Sequence, residues 1–304
     1  MNRRKEALRR LIAAFCLFAS TASADPERVS LLVTGGQVLT MNETAEVIDN
    51  GVVAIDGRRI VAVGGPELSE RYTADEIIEA GNGIVMPGMI NLHNHLPMVA
   101  FRGLGENGVR NRLYEFFFPL EKALLDRDLI HVGARQAAIE SVVAGVTTVT
   151  DMYYHEDEVA LALKQVGLRG VLGESIIGFP VVDAPTPEEG LIYAERFIAA
   201  FNEDPLIVPA LAPHAPYTVA PELFPKIVAL ADRYDVPILM HVAEMPDEKA
   251  RTVAAFEGVP PGLSIIEYLE QAGILVDRLV AAHVIHVDAS DMALLQRHGV
   301  GIGH

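Results

Sequence analysis

Met86-Pro87-Gly88-Met89-Ile90-Asn91-Leu92-His93-Asn94-His95 is the stretch on which the reading of this chain turns. Two histidines stand two residues apart at the end of an apolar, strand-like run. Side chains at i and i+2 leave the same face of a strand, so both imidazoles can reach one metal ion. The apolar run suits a strand buried on both faces of a parallel sheet. In an α/β barrel the C-terminal ends of such strands carry the chemistry. A lone His-x-His is a weak signal, and its weight depends on what other strands deliver.

Downstream, strand-like runs recur. With the first at 84–95, the others fall at 146–152, 170–177, 207–213, 238–244, 279–286 and 300–304. Helical patterns lie between them, for example at 129–144, 156–166, 221–234 and 288–298. Strands alternating with helices predict a parallel sheet. An eight-stranded barrel needs one more strand than is counted before His304, whereas a doubly wound open sheet could close with seven. The histidine placement and the β-rich segment upstream favour an α/β fold of TIM-barrel type, (β/α)8, over 86–304 with strand eight missing. Upstream, residues 25–85 read as the N-terminal part of a small β-sandwich. Ser30-Leu31-Leu32-Val33-Thr34 runs into Gly35-Gly36, and Val52-Val53-Ala54-Ile55 meets Arg59-Ile60-Val61-Ala62-Val63 across the hairpin signal Asp56-Gly57.

Ionisable residues end several of the barrel strands. His241 closes Val236-Pro237-Ile238-Leu239-Met240, with Glu244 three residues on. His283 closes Leu279-Val280-Ala281-Ala282, and His214 follows Leu211-Ala212-Pro213. Any one of these is explained as a hydrogen-bonded core histidine. Taken together at one barrel mouth, His93, His95, His214, His241, Glu244 and His283 point to a metal-dependent site. Neutral imidazoles hold a divalent ion, and a catalytic site keeps one position for water, whose pKa falls from 15.7 toward about 7. Glu244 is the carboxylate placed to move the water's proton. His131 and His298 sit in helical patterns and read as surface or packing residues, while His155 could line the pocket. Gly103-Leu104-Gly105-Glu106-Asn107-Gly108 matches G-x-G-x-x-G but lacks the surrounding βαβ unit, so it reads as a loop after the first barrel strand.

Composition narrows the classes. The chain has 304 residues and a net charge of −17, which argues against nucleic acid as a partner. Arg3, Arg4, Lys5, Arg9 and Arg10 precede an apolar stretch from Leu11, then Ala22-Ser23-Ala24. That is the layout of a secretory signal cleaved after Ala24, with a twin-arginine route as a variant, and it predicts a periplasmic or secreted protein. The run is too short to span a bilayer, so no membrane span is expected in the mature chain. The single cysteine, Cys16, lies inside that signal. Metal ligands in the mature chain must therefore be His, Asp or Glu.

The chain resembles the amidohydrolase superfamily, in the branch that holds cytosine, guanine and S-adenosylhomocysteine/5′-methylthioadenosine deaminases and the triazine hydrolases. The resemblance runs through Pro87-Gly88-Met89-Ile90-Asn91-Leu92-His93-Asn94-His95, Phe101-Arg102-Gly103, Pro119-Leu120-Glu121, 145–153, Ala212-Pro213-His214-Ala215-Pro216-Tyr217, His241-Val242-Ala243-Glu244 and Ala282-His283-Val284-Ile285-His286, in the family's order. It implies that His93, His95 and His241 bind one divalent metal, usually Zn2+, with Fe2+ or Mn2+ as alternatives. It implies Glu244 as proton shuttle and His283 as partner of the attacking water or substrate. His214 would contact the substrate, and Glu121 would hold ribose hydroxyls. Two departures stand out. The family's fourth ligand, an Asp ending strand eight, would lie beyond His304, so the chain reads as the N-terminal portion of a longer protein. Arginines expected near strand three for an amino-acid carboxylate are replaced by Gly173-Glu174-Ser175-Ile176-Ile177, where Glu174 would repel that group.

The expectation is a metal-dependent hydrolytic deaminase that releases ammonia from a small heterocyclic substrate, an adenosine-like nucleoside, purine or pyrimidine. The alternatives are hydrolysis of another C–N or C–Cl bond (cyclic amide, acyl amino acid, triazine) or an inactive truncated homologue. A homo-oligomer is expected, with the number of copies open.

Overall fold

A computed structural model describes residues 25–106 and 111–304. The expected signal segment and the end of the glycine-rich loop, residues 107–110, lie outside the described residues. The chain divides into two compact units at Pro87/Gly88.

The first unit is a five-stranded sheet. Strand β1 (Glu27–Leu39) pairs antiparallel with β2 (Val47–Asp49) and β3 (Val52–Asp56), and β3 pairs antiparallel with β4 (Arg59–Gly64). The Asp56-Gly57 hairpin is present, with Gly57 at φ 56. Gly35-Gly36 does not end the first strand, as its turn-like composition suggested. The strand runs on through it with register shifts on either side of Gly35. A side chain at Gly36 would put its Cβ 2.4 Å from the Gly83 carbonyl oxygen, so these glycines serve a close backbone approach within the sheet. Their neighbour is β5 (Tyr72–Val85), parallel to β1, which the sequence reading did not foresee. Val29, Leu32, Val52, Ala54 and Tyr72 form a small core under this sheet.

The expected strand 84–95 is in fact two. Val85 ends β5, and β6 (Met89–Asn94) begins the second unit. Pro87 has no N–H to give a ladder, and Gly88 lies so close to Thr147 that a Cβ would sit 2.2 Å from its Cγ2. The second unit then follows the expected alternation. Strands β6, β7 (Val146–Tyr153), β8 (Arg169–Ile176), β9 (Ile207–Pro213), β10 (Ile238–Val242), β11 (Leu279–His283) and β12 (Gly301–Gly303) lie side by side in chain order, all parallel. Gly303 of β12 comes against Leu92 of β6, where a Cβ would lie 3.0 Å from its carbonyl oxygen, so the array is a nearly closed barrel. No ladder joins β12 to β6 among the described residues, and Ile90 on β6 is 61% exposed.

Inside the barrel the side chains are small or slender. Met152, Ala210, Ala212 and Leu239 pack together, and Gly173 leaves room for Ala212 and Leu239. Outside, larger apolar side chains such as Ile176, Ile198, Phe224, Ile227 and Leu269 seal the strands against helices. The helices start where local hydrogen bonding dictates. Asp126 caps Arg127–Val143 by accepting from Leu129 N–H, and Thr186 caps Pro187–Phe201 by accepting from Glu189 N–H. Ser264 with Glu267, and Asp288 with Asp291, close reciprocal capping boxes ahead of Ile265–Gln271 and Ala289–Arg297. No helix of the described residues is long and apolar enough to cross a membrane.

Candidate active site

His93 is the fifth residue of β6, and His95 falls one residue beyond it, at the entry to a 3-10 turn over Leu96–Phe101. His241 is the fourth residue of β10. Despite this spread, one ring nitrogen from each of His93, His95 and His241 lies within 4.8 Å of the other two. The orientation is built by the backbone. His95 Nδ1 sits 2.7 Å from the Met152 carbonyl, and His241 Nδ1 sits 2.7 Å from the His214 carbonyl. A carbonyl can only accept, so both rings carry their proton on Nδ1 and present Nε2 as a lone pair. Those two Nε2 atoms face each other at 3.2 Å. Two acceptors that close repel unless a cation lies between them, so the donor set fits a divalent ion.

Burial keeps these rings neutral. Desolvation, reinforced by the neighbouring histidines, lowers His93 to about 3 and lowers His95 and His241 as well. A neutral imidazole is the form that ligates a metal. His214, on the turn after β9, is lowered to about 3, first by burial and then by His95. Its Nδ1 is 2.9 Å from Thr218 Oγ1, whose hydroxyl donates to the Ala215 carbonyl at 3.2 Å.

His283 ends β11 in a left-handed conformation, φ 73, and its ring centroid stands 4.7 Å from that of His93. Glu244 follows β10, and its Oε2 lies 3.9 Å from His283 Nε2. Glu121, on the helix Phe118–Leu124, is buried and accepts from Tyr153 Oη at 2.7 Å, with Tyr154 Oη at 3.5 Å. Burial raises Glu121 to about 7, against the two tyrosine hydrogen bonds that lower it. All seven residues singled out in the sequence line one cavity of about 740 Å3, together with Ser175, Tyr217 and Arg251. A smaller apolar cavity of about 430 Å3 adjoins it, sharing Phe118, Glu121 and Tyr154.

Two readings of individual residues change. His155 does not line this cavity; it precedes the helix Glu156–Val166 at φ 51, with its ring on Tyr193 Oη at 3.1 Å. Glu174 faces away from the cavity. Alternation along β8 turns Ser175 inward and Glu174 outward, where its Oε2 accepts the Glu156 N–H at 2.9 Å. Glu174 is therefore not placed to repel a substrate carboxylate. The sequence reading also passed over Glu248, whose carboxylate accepts from the backbone N–H groups of Ala243 and Glu244 at 2.8 Å each. An acid four residues after Glu244, just before a helical stretch, was the available signal.

Comparison with known proteins bears on this arrangement. The profile of the Amidohydrolase family matches residues 84–304. A 5-methylthioadenosine/S-adenosylhomocysteine deaminase of Syntrophus aciditrophicus (strain SB) is 34% identical over 275 residues, 90% of this chain and 61% of its own length. A 5′-deoxyadenosine deaminase of Methanothrix thermoacetophila is 35% identical over 268 residues, 86% of this chain and 61% of its own. Among solved structures, an adenosine deaminase from Xanthomonas campestris with bound zinc superposes with a TM-score of 0.86 at 31% identity, covering 91% of this chain and 62% of that one. The chain thus spans about three fifths of the length of these relatives.

Proposed function

The chain belongs to the amidohydrolase family, and on that premise we propose that its protein is a zinc-dependent hydrolytic deaminase of an adenosine-like nucleoside. The observation that carries the reading is the placement of Glu244, 3.9 Å from His283 and in the same cavity as three convergent, neutral imidazoles. The names of the three similar proteins described above, deaminases of adenosine-type compounds, support the substrate class.

His93, His95 and His241 would hold the ion, with the Met152 and His214 carbonyls setting the tautomers of His95 and His241. Bound there, the ion supplies a water that is acidic near neutral pH, its pKa brought toward about 7. Glu244 takes the proton of the attacking water and delivers it to a ring nitrogen of the substrate. His283 hydrogen-bonds that water and steadies the Glu244 carboxylate. The aminated carbon becomes tetrahedral; its new hydroxyl then gives its proton, through Glu244, to the amino group, and the C–N bond breaks to release ammonia as the C=O bond forms. His214 contacts the base, and Glu121 accepts from sugar hydroxyls.

Glu244→Gln tests the assignment. Release of ammonia from adenosine or 5′-deoxyadenosine should fall roughly 10²–10⁴-fold with metal content unchanged. Unchanged turnover would sink the role of Glu244. We also propose that residues 1–24 direct export; a mature protein beginning at Asp25 checks this, and a cell-associated chain retaining Met1 overturns it.

A further inference from the structure

We propose that Glu248 is a positioning residue that sets the backbone carrying Glu244; this rests on the reading of Glu244 as the proton shuttle. Glu248 opens the helix Glu248–Ala255 and is 1% exposed. It does not line the cavity, so it touches neither substrate nor ion. Its Oε1 accepts the Ala243 N–H at 2.8 Å, and its Oε2 accepts the Glu244 N–H at 2.8 Å, with Met245 N–H at 3.5 Å. Successive N–H groups converge on one carboxylate only when the chain leaves the extended conformation. Ala243 does so, at φ 52, a left-handed geometry that a residue with a Cβ adopts under constraint.

The same peptide reaches across to the next strand end. The Ala243 carbonyl accepts from Ile285 N–H at 3.0 Å and from His286 N–H at 2.9 Å, and the Val242 carbonyl accepts from Val284 N–H at 3.0 Å. His283 and Val284 are themselves at φ 73 and φ 51. One buried carboxylate thus clamps the turn after β10, and that turn in turn holds the one after β11. Glu244 and His283, the pair at 3.9 Å, are the residues those two turns present. A carboxylate suits this task because both oxygens accept. A Gln would turn an NH2 toward one of the N–H groups and lose that bond.

The experiment is a double-mutant cycle in the complete, metal-loaded protein, with Glu248→Gln and Glu244→Gln read as kcat, KM and metal content. Glu248→Gln alone should lower kcat about 10–100-fold, the scale of a misplacement near 1 Å, with KM and metal content unchanged. On the Glu244→Gln background the same change should cost less than about twofold, since the group it positions is gone. A kcat loss of the same size on both backgrounds overturns the positioning role and leaves the deaminase reading standing. Full activity of Glu244→Gln alone overturns both. Should Glu248→Gln fail to fold, Glu248→Asp retains both acceptor oxygens but withdraws them by one carbon. A loss of about 3–10-fold in kcat at unchanged KM then supports the proposal, and wild-type kcat overturns it.

Discussion

Two groups of buried ionisable side chains stand back to back across β7 and β8, and they meet the same penalty in opposite ways. On the inner side, His93, His95, His214 and His241 crowd together, and desolvation strips them of charge. On the outer side lie Asp151, Glu156 and Glu174, each almost wholly buried, with Asp183 beside them. There desolvation pushes Asp151, Glu156 and Glu174 above the usual carboxylate range, with repulsion from neighbouring acids adding to it for Glu156 and Glu174, and so favours their protonated forms. A neutral imidazole is a lone pair ready for a metal. A neutral carboxyl offers a metal no charge, but it has one O–H to donate and a carbonyl oxygen that accepts. Like groups gathered in a dry place therefore become a metal site or a proton-sharing brace, according to which of their two states lacks charge.

The brace supports the site from behind. Asp151 Oδ1 accepts the Leu96 N–H at 2.6 Å, directly after His95, and the next residue along, Met152, orients the His95 ring through its carbonyl. Glu174 Oε2 holds the Glu156 N–H, and Asp183 Oδ2 holds the His155 N–H at 2.7 Å. Several of the remaining carboxyl oxygens, including both of Glu156, have no hydrogen-bond partner. With Glu156 facing Asp151 and Glu174 facing Asp183, one proton shared within each pair would satisfy such oxygens.

Removing a ligand from the inner group should break the contrast most severely. In His241→Ala, metal content should fall from about one ion per chain to near zero. Deamination should fall at least as far as the roughly 10²–10⁴-fold cost of losing a proton shuttle. Metal analysis alongside ammonia release checks both, and retention of a full complement of metal would remove His241 from the ligand set.

A smaller effect should sharpen the outer side. Glu156 has a raised pKa in the folded protein, so above the ordinary carboxylate pKa the folded state binds a proton that the unfolded state has lost. Stability due to this residue is then greatest at or below that ordinary value. It declines as pH rises toward the raised one, with a limiting slope of about 1.4 kcal/mol per pH unit. Glu156→Gln, neutral in both states, should lack that decline and gain on wild type between pH 5 and pH 8. Chemical denaturation at the two pH values checks it. An equal stability difference at both would mean that Glu156 titrates no differently once folded.

Much of this was legible from local pattern. The barrel strands announced themselves because parallel strands buried on both faces are continuous apolar runs, and β9 falls at 207–213 as read. The helix Glu156–Val166 was equally plain from its helical pattern. What failed was reading across a break. The run from Ile84 to Leu92 is mostly apolar, so it reads as one strand across Pro87-Gly88, and the close approach of Gly88 to Thr147, distant in sequence, shows only in the fold. Glu174 looked like part of the pocket because it neighbours Ser175, but a period of two sends adjacent residues to opposite faces. Glu248 was missed because its partners are backbone N–H groups, which carry no residue identity.

The sequence by itself determined which residues could hold a metal and roughly where along the chain they would stand, because strand ends and ligand chemistry are local properties. Only the tertiary structure decided that three imidazoles at the ends of β6 and β10 bring one ring nitrogen each to one spot. For His95 and His241 that choice depends on the Met152 and His214 carbonyls, which only folding brings to the far side of each ring.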